Sequence, residues 1–297
     1  MKRYTVDKCS VCDSNKISHV MVASDYLVSH ESFNIMECTD CTLRLTSPIP
    51  DKIDINKYYQ SDNYISHTGA GNTLLNKVYN FVKYFTLRSK KKKVQIFSGN
   101  KIGSILDIGC GTGEFIKTMK QANWEVNGVE NNEFARKHAE INVSSTVMNQ
   151  ADFLASTQKY DVITLWHSLE HLYNLKGYLN KISISLNANG VVIIAVPNYQ
   201  SFDAKYFKQD WAAYDVPRHL YHFSFDSLVK LLELNNFHLI NSSQLPFDPF
   251  YISLLSELSV RRKRNIFKAI LIGMSSYFVG CKDVKKASSI LYVFRKI

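Results

Sequence analysis

Ile105-Leu106-Asp107-Ile108-Gly109-Cys110-Gly111-Thr112-Gly113-Glu114-Phe115 is the stretch on which the fold turns. A short apolar run gives way to three glycines at alternate positions and then to a helical pattern, which reads as a strand, a tight turn and a helix start. Glycine lets the backbone turn and lets a ligand approach without meeting a side chain, while the helix that follows presents unpaired N–H groups. The turn is a cofactor cradle. A dinucleotide fingerprint would need glycine at 109, 111 and 114, but position 114 is glutamate, which would face a pyrophosphate. NAD and FAD are therefore disfavoured, and Asp107 at the strand end could accept from an ammonium or polarise the loop.

Trp124 to Glu130 reads as the next strand. Glu130 ends it about twenty residues past the glycines, where an adjacent parallel strand would place an acid over ribose hydroxyls. The D-x-G-x-G-x-G pattern resembles motif I of the class I S-adenosylmethionine (SAM) methyltransferases, whose cofactor is cationic and has no phosphate. The resemblance continues through Asn149 to Phe153, where these enzymes put an acid beside the adenine amine. It implies that Asp107, Gly109, Gly111, Gly113, Glu130, Asp152, Phe153 and Trp166 bind the cofactor.

At 297 residues, 45% hydrophobic and 21% charged, the chain can bury one large domain plus an appendage. The start, Met1 to Lys8, has no apolar leader and no apolar run approaches bilayer-spanning length, so a cytoplasmic protein is expected. Net charge is +10, with nine positive charges in two runs, Arg88 with Lys90 to Lys93, and Arg261 to Arg264. Such runs are solvated faces or helix ends, or they meet an anionic membrane surface as a peripheral contact, nucleic acid or an acidic substrate. Cys9-x2-Cys12 and Cys38-x2-Cys41 form two thiolate knuckles at zinc-ribbon separation. Cytosolic disulfides are rare and four thiolates suit Zn²⁺, so a structural zinc is expected, with no open position for catalysis. Cys110, inside the glycine turn, reads as a small packing residue.

Residues 1–48 thus read as a zinc-ribbon module that needs its metal to fold, closed by the stiff Ser47-Pro48-Ile49-Pro50. Residues 49–100 read as a linker with a Gly69-Ala70-Gly71 pivot, then an amphipathic cap helix from Asn72 to Phe97 built on Leu74, Leu75, Val78, Phe81, Val82 and Phe85. From 101 to 297 helices alternate with strands at 102–108, 124–129, 143–148, 160–166, 190–196, 237–243 and 288–295. Strands apolar on both faces fit a parallel sheet covered by helices, an α/β fold. The resemblance implies a seven-stranded Rossmann-like methyltransferase sheet of order 3-2-1-4-5-7-6 with the last strand antiparallel. The insertion 246–286, with two helical apolar faces, reads as a substrate lid in preference to an oligomer or membrane-surface contact.

Strand 160–166 runs into His167-Ser168-Leu169-Glu170-His171 at the carboxyl edge of the sheet, where open α/β folds bind ligands. On a helical turn His167, Glu170 and His171 would share a face. The stretch resembles the E-H motif of the ubiquinone-biosynthesis O-methyltransferases and of related small-molecule and sugar methyltransferases, in which the group takes the acceptor proton or chelates a divalent cation. Methyl transfer is an in-line displacement that needs the nucleophile aligned and a hydroxyl deprotonated, and His171 is the candidate base. Asp210 to Ser224 is dense in aromatic and ionisable residues, so Trp211, Tyr214, Arg218, His219 and His222 are candidates for the acceptor pocket. The V-P-N pattern at 196–198 and P-R-H-L from Pro217 resemble bacterial zinc-ribbon-bearing class I methyltransferases, whose acceptors are small molecules. If a metal joins, Glu170 and His171 with His219 or His222 would be its ligands, as in methyltransferases of terminal ribose hydroxyls, which have Glu where this chain has His167.

The reading is a SAM-dependent methyltransferase for a small-molecule acceptor such as a sugar, polyketide or quinone-type hydroxyl. An RNA or DNA methyltransferase is the alternative that the ribbon and basic runs suggest, but the end of the fourth strand lacks [DN]-P-P-[YF] and Pro-Cys. A non-catalytic SAM-binding zinc protein is the third. The oligomeric state is left open.

Overall fold

The computed structural model describes residues 2–59, 74–261 and 265–297. In chain order the elements are β1 (Arg3–Tyr4), β2 (Ile17–Ser24), β3 (Ser32–Cys38), β4 (Arg44–Ser47), β5 (Ile49–Pro50), α1 (Leu74–Phe97), β6 (Ser104–Ile108), α2 (Glu114–Lys120), β7 (Glu125–Val129), α3 (Glu133–Val143), α4 (Gln150–Ala155), β8 (Tyr160–Trp166), α5 (Leu175–Ser185), β9 (Leu186–Pro197), α6 (Phe202–Phe207), β10 (Tyr221–His222), α7 (Phe225–Glu233), β11 (Phe237–Gln244), α8 (Asp248–Leu255), α9 (Ile266–Lys282) and β12 (Ser289–Lys296).

The central sheet has the order β11-β12-β9-β8-β6-β7. β7, β6, β8 and β9 are parallel, and β12 inserts antiparallel between β9 and β11. Its strands read as apolar on both faces because both are covered. Leu106, Ile163, Leu165, Val192 and Ile194 enter one core cluster, and their neighbours Ile105, Val162, Val191, Ile193 and Ala195 enter the other.

Among the described residues six strands form this sheet, not the seven expected. The segment 143–148 meets β7 only at one bridge, Val129 to Met148. α3 runs on to Val143 and ends at Ser144 in left-handed backbone (φ 49°), and the polar Ser144-Ser145-Thr146 that follows has no apolar alternation to bury. Met148 still exchanges two backbone bonds of 2.9 Å, accepting from Glu130 N and donating to Gly128 O. The third place in the order is occupied without a ladder.

At the N-terminus β10-β4-β3-β2 form an antiparallel sheet, so its outer strand comes from residues 221–222, far along the chain. α1 packs Leu87, Val94 and Phe97 on the core while Phe85 stays exposed, contrary to its place in the expected apolar face. The pivot at 69–71 lies outside the described residues. In the insertion, α8 passes through a π-helical turn, Ser256–Val260, and α9 packs against α8 and α6.

Candidate active site

Gly109, Gly111 and Gly113 adopt φ of 78°, 55° and 81°, a region that L side chains rarely enter. Packing demands two of them. A Cβ on Gly109 would lie 2.5 Å from Ser168 Cβ, and one on Gly113 would lie 3.0 Å from Ala139 in α3. Gly111 faces open space, which leaves its backbone approachable by a ligand. Glu130 bends over the same loop, Oε2 accepting from Gly111 N at 2.9 Å and Oε1 from Asn132 N at 2.8 Å. Each oxygen retains a lone pair for a hydroxyl donor.

Beneath the loop Asp107 is buried and accepts from the Thr164 hydroxyl at 2.6 Å. Burial pushes its carboxyl up to about 7, against that bond and against Lys90. Lys90 reaches in from α1, its Nζ 4.5 Å from the Trp166 ring centre and 6.0 Å from that of Phe115. Trp166 is thus buried under a cation at the strand end. Asp152 is exposed and turned to its own helix start, accepting from Asn149 N at 3.2 Å in a capping box. Phe153, next to it, is buried in the core with its ring stacked on Tyr178.

Past Trp166 the chain takes a left-handed step at His167 (φ 52°), and Ser168 Oγ donates to Ile108 O at 2.6 Å, tying this corner to the glycine loop. Only Leu169–His171 form a turn, of 3₁₀ type, so His167 is not on the shared helical face expected of it. The polar groups nevertheless converge. His167 Nδ1 is 3.7 Å and His219 Nε2 3.9 Å from Glu170 Oε1, too long for hydrogen bonds. Glu170 is 1% exposed, and among the described residues neither carboxylate oxygen has a hydrogen-bond partner. Such a group is costly unless something meets it.

The His171 and His219 rings meet edge to face, centres 4.6 Å apart. His171 Nδ1 lies 3.0 Å from Arg218 O, with the Tyr59 hydroxyl at 3.1 Å, and His219 Nδ1 lies 2.8 Å from Ala213 O. A carbonyl only accepts, so each Nδ1 holds a hydrogen, and in the neutral form of either ring the lone pair is on Nε2. Glu170, His171 and His219 each present a ligand atom within 4.8 Å of the others. Burial, helped by His219, pulls His171 down to about 4, so it is neutral at physiological pH. His167 differs. Burial opposes its charge, but Asp248 Oδ2 at 3.1 Å and Glu170 outweigh it and hold the ring up at about 9, protonated and unable to act as a base at neutral pH.

Most of the aromatic and basic loop is structural. Trp211 is buried and its Nε1 donates to Asp203 at 2.8 Å. Arg218 is buried between Asp25 and Asp215 with no face open to a substrate. His222 Nε2 meets Thr46 Oγ1 at 3.0 Å; that hydroxyl donates to His219 O at 2.6 Å, so His222 is the donor and does not join the Glu170 group. Tyr214 accepts from Arg44 at 2.9 Å and, with Arg44 and Tyr199, lines a groove of about 670 Å³ between the N-terminal sheet and α6. Of the five, His219 alone joins the cluster at the sheet edge. Lys90, Thr164 and Asp248 went unread in the sequence, because a lysine run, a strand interior and an insertion give no local signal of the crevice they reach.

The sulfur atoms of Cys9, Cys12, Cys38 and Cys41 lie within 4.8 Å of one another, with Cys9–Cys41 at 3.4 Å and Cys12–Cys38 at 3.6 Å. A tetrahedron with Zn–S of about 2.3 Å has edges of about 3.8 Å, so the four thiols fit a zinc ion and are too far apart for disulfides.

A doubly wound sheet whose first βα turn is a glycine cradle, with an acid closing the neighbouring strand, defines the class I nucleoside-cofactor architecture. A family model described as "Methyltransferase domain" matches residues 81–242, over half of the chain, and the chain belongs to that family: it is a SAM-dependent methyltransferase. A ubiquinone biosynthesis O-methyltransferase of Pelagibacter ubique is 26% identical over 186 residues, 55% of this chain and 75% of that protein. One from Actinobacillus pleuropneumoniae serotype 5b is 32% identical over 106 residues, 32% of this chain and 45% of that protein. Among solved structures, the magnesium protoporphyrin IX methyltransferase of Synechocystis PCC 6803 with bound SAH shares the fold at a TM-score of 0.55 and 16% identity, covering 83% of this chain and all of that one. A SAM-dependent methyltransferase from Archaeoglobus fulgidus does so at 0.51 and 20%, covering 72% and 94%.

Proposed function

We propose that the protein methylates a hydroxyl of a small-molecule acceptor, with Glu170, His171 and His219 handling that hydroxyl. The observation that supports this most is the buried, unpartnered Glu170 carboxylate flanked by two imidazoles with free Nε2 atoms, at the strand end beside the glycine loop. When bound, SAM supplies a methyl carbon made electrophilic by its sulfonium. Gly111 and Glu130 would hold the nucleoside, and the Asp107 carboxylate would balance the cofactor's positive charge. His171 Nε2 takes the hydroxyl proton, and Glu170 balances the imidazolium so formed. His167, already protonated and held by Asp248, sets the charge at the rim. The relatives' names, O-methyltransferases of ubiquinone biosynthesis, favour oxygen as the accepting atom.

A second reading places a divalent cation on Glu170, His171 and His219. The fixed Nδ1–H bonds that orient both rings favour it, and burial keeps His171 unprotonated at neutral pH, so its Nε2 could coordinate. The test is SAH formation from SAM with a panel of catechols, quinols and sugars. Turnover with a hydroxyl acceptor is expected, falling about 100-fold or more in Glu170→Gln and His171→Ala while SAM binding persists. Loss of turnover on brief chelation and its return with added Mg²⁺ or Mn²⁺, zinc content unchanged, selects the cation reading. Normal turnover in both variants removes the cluster from the chemistry.

A further inference from the structure

α9 is packed the wrong way round for a water-facing helix. Its buried residues are Ala269, Gly273, Ser276 and Gly280, a small-residue seam that brings α8 so close that a Cβ on Gly273 would lie 2.9 Å from Phe250 Cα. Its large apolar side chains, Ile266, Phe267, Ile270, Leu271, Met274 and Phe278, are 41–73% exposed. At 3.6 residues per turn these six cover about 140° of the helix, centred about 120° from the seam. A soluble helix places polar residues there, and an apolar stripe of this size marks an interaction surface.

Both ends of the stripe are basic. Arg261 and Lys268 stand at its start and Lys282, Lys285 and Lys286 at its finish, and the sequence adds Arg262, Lys263 and Arg264, outside the described residues. Segment 248–286 has eight basic and three acidic residues, half of the chain's net charge of +10. Ion pairs take up part of this charge: Asp248 meets His167 at 3.1 Å, and buried Glu257 lies 3.8 Å from Arg261, which also meets Asp210 at 3.1 Å. Lys285 meets Asp226 at 2.8 Å and Lys286 meets Asp283 at 3.3 Å, while Lys268, Lys282 and the 262–264 run keep the segment net positive.

We propose that α9 lies in the headgroup layer of an anionic lipid bilayer, with its apolar stripe at the acyl boundary and its basic ends against the headgroups. No described helix is long and apolar enough to cross a membrane, so the contact runs along the surface. A second copy of the chain is the competing occupant. Because both ends of α9 are basic, a two-fold contact brings like charges together whichever way the helices run, whereas anionic headgroups complement them. The surface is one helix from the candidate active site, since α8 opens with Asp248, the partner of His167.

Flotation of the full chain with phosphatidylcholine vesicles, with and without phosphatidylglycerol, tests this. Binding to the mixed vesicles that weakens as salt rises is expected, with much less on phosphatidylcholine alone. Phe267→Asp and Phe278→Asp should each lower the partition coefficient about tenfold, with melting unchanged. Ile141→Asp, at a 75% exposed site on α3, should leave it unchanged. Failure of the wild-type protein to float, partition indifferent to both Phe substitutions, or a dimer that Phe267→Asp dissolves without any vesicle binding would each overturn the proposal.

Discussion

Arg218→Met removes the cation from a buried triad. The Arg218 and Asp25 side chains are 0% exposed and Asp215 17%. Arg218 Nε donates to both Asp215 oxygens at 3.0 Å, Nη2 to Asp215 at 2.7 Å and to Asp25 at 2.8 Å, and Nη1 to Tyr58 O at 2.8 Å. Removing one partner of a buried pair costs about 3–5 kcal/mol, because the other charge remains without compensation. Asp25 keeps bonds from Leu27 N, Val28 N, Ser29 N and Ser29 Oγ, so the lower end, about 3 kcal/mol, is expected. In a chain of this size that is a fall in melting temperature of about 5 °C. Burial alone would raise Asp25, but Arg218 and the Ser29 groups outweigh it and hold it below the usual carboxylate range. Its stabilisation is therefore present at neutral pH and lost on acidification, and the gap between wild type and variant should narrow below about pH 4. Thermal melts across pH, with SAM titrations well below the melting point, measure both effects. SAM affinity should be intact. A variant that melts like the wild type yet no longer methylates its acceptor would refute the reasoning and return Arg218 to the acceptor pocket.

Zinc analysis should find one ion per chain, and Cys38→Ser should lower both melting temperature and turnover, because Thr46 of the metal-bearing sheet holds His219 O and His222. Asp107, raised to about 7, keeps its proton in the free protein below that pH; a cofactor cation expels it, so SAM affinity should rise about tenfold per unit up to pH 7 and then level, a slope that Asp107→Asn abolishes in calorimetry. Gly111→Ala meets no neighbour but sits at φ 55°, so denaturation should show a loss of only about 1 kcal/mol while SAM binding collapses.

Much of this architecture is written locally. β6, β8 and β9 are mostly apolar, with Asp107 and Thr164 the polar residues buried within β6 and β8 and an unbroken apolar run from Val191 to Val196 in β9, and a strand buried on both faces must read so. The 143–148 segment misled because its position in an alternating pattern suggested a strand that Ser144 to Thr146 have no apolar side chains to anchor. The acceptor loop misled for a different reason. Arg218 looks like a substrate clamp until Asp25, 193 residues away, is seen to occupy it, and no local pattern discloses a partner at that separation. His219 and His222 are equally suggestive in sequence, but the fold sets His219 Nε2 3.9 Å from Glu170 and turns His222 Nε2 onto the Thr46 hydroxyl.

The pairing of β10 with β4 dictates an order of assembly. During synthesis the cysteine knuckles emerge early and can capture metal, yet the edge of their sheet stays open until Tyr221 and His222 leave the ribosome, by which time most of the cofactor-binding strands have been made. The N-terminal unit is thus finished by the enzyme it precedes. A truncation after residue 50 should yield a sheet with a bare margin prone to self-pairing, and grafting the ribbon onto another protein would transplant that vulnerability with it.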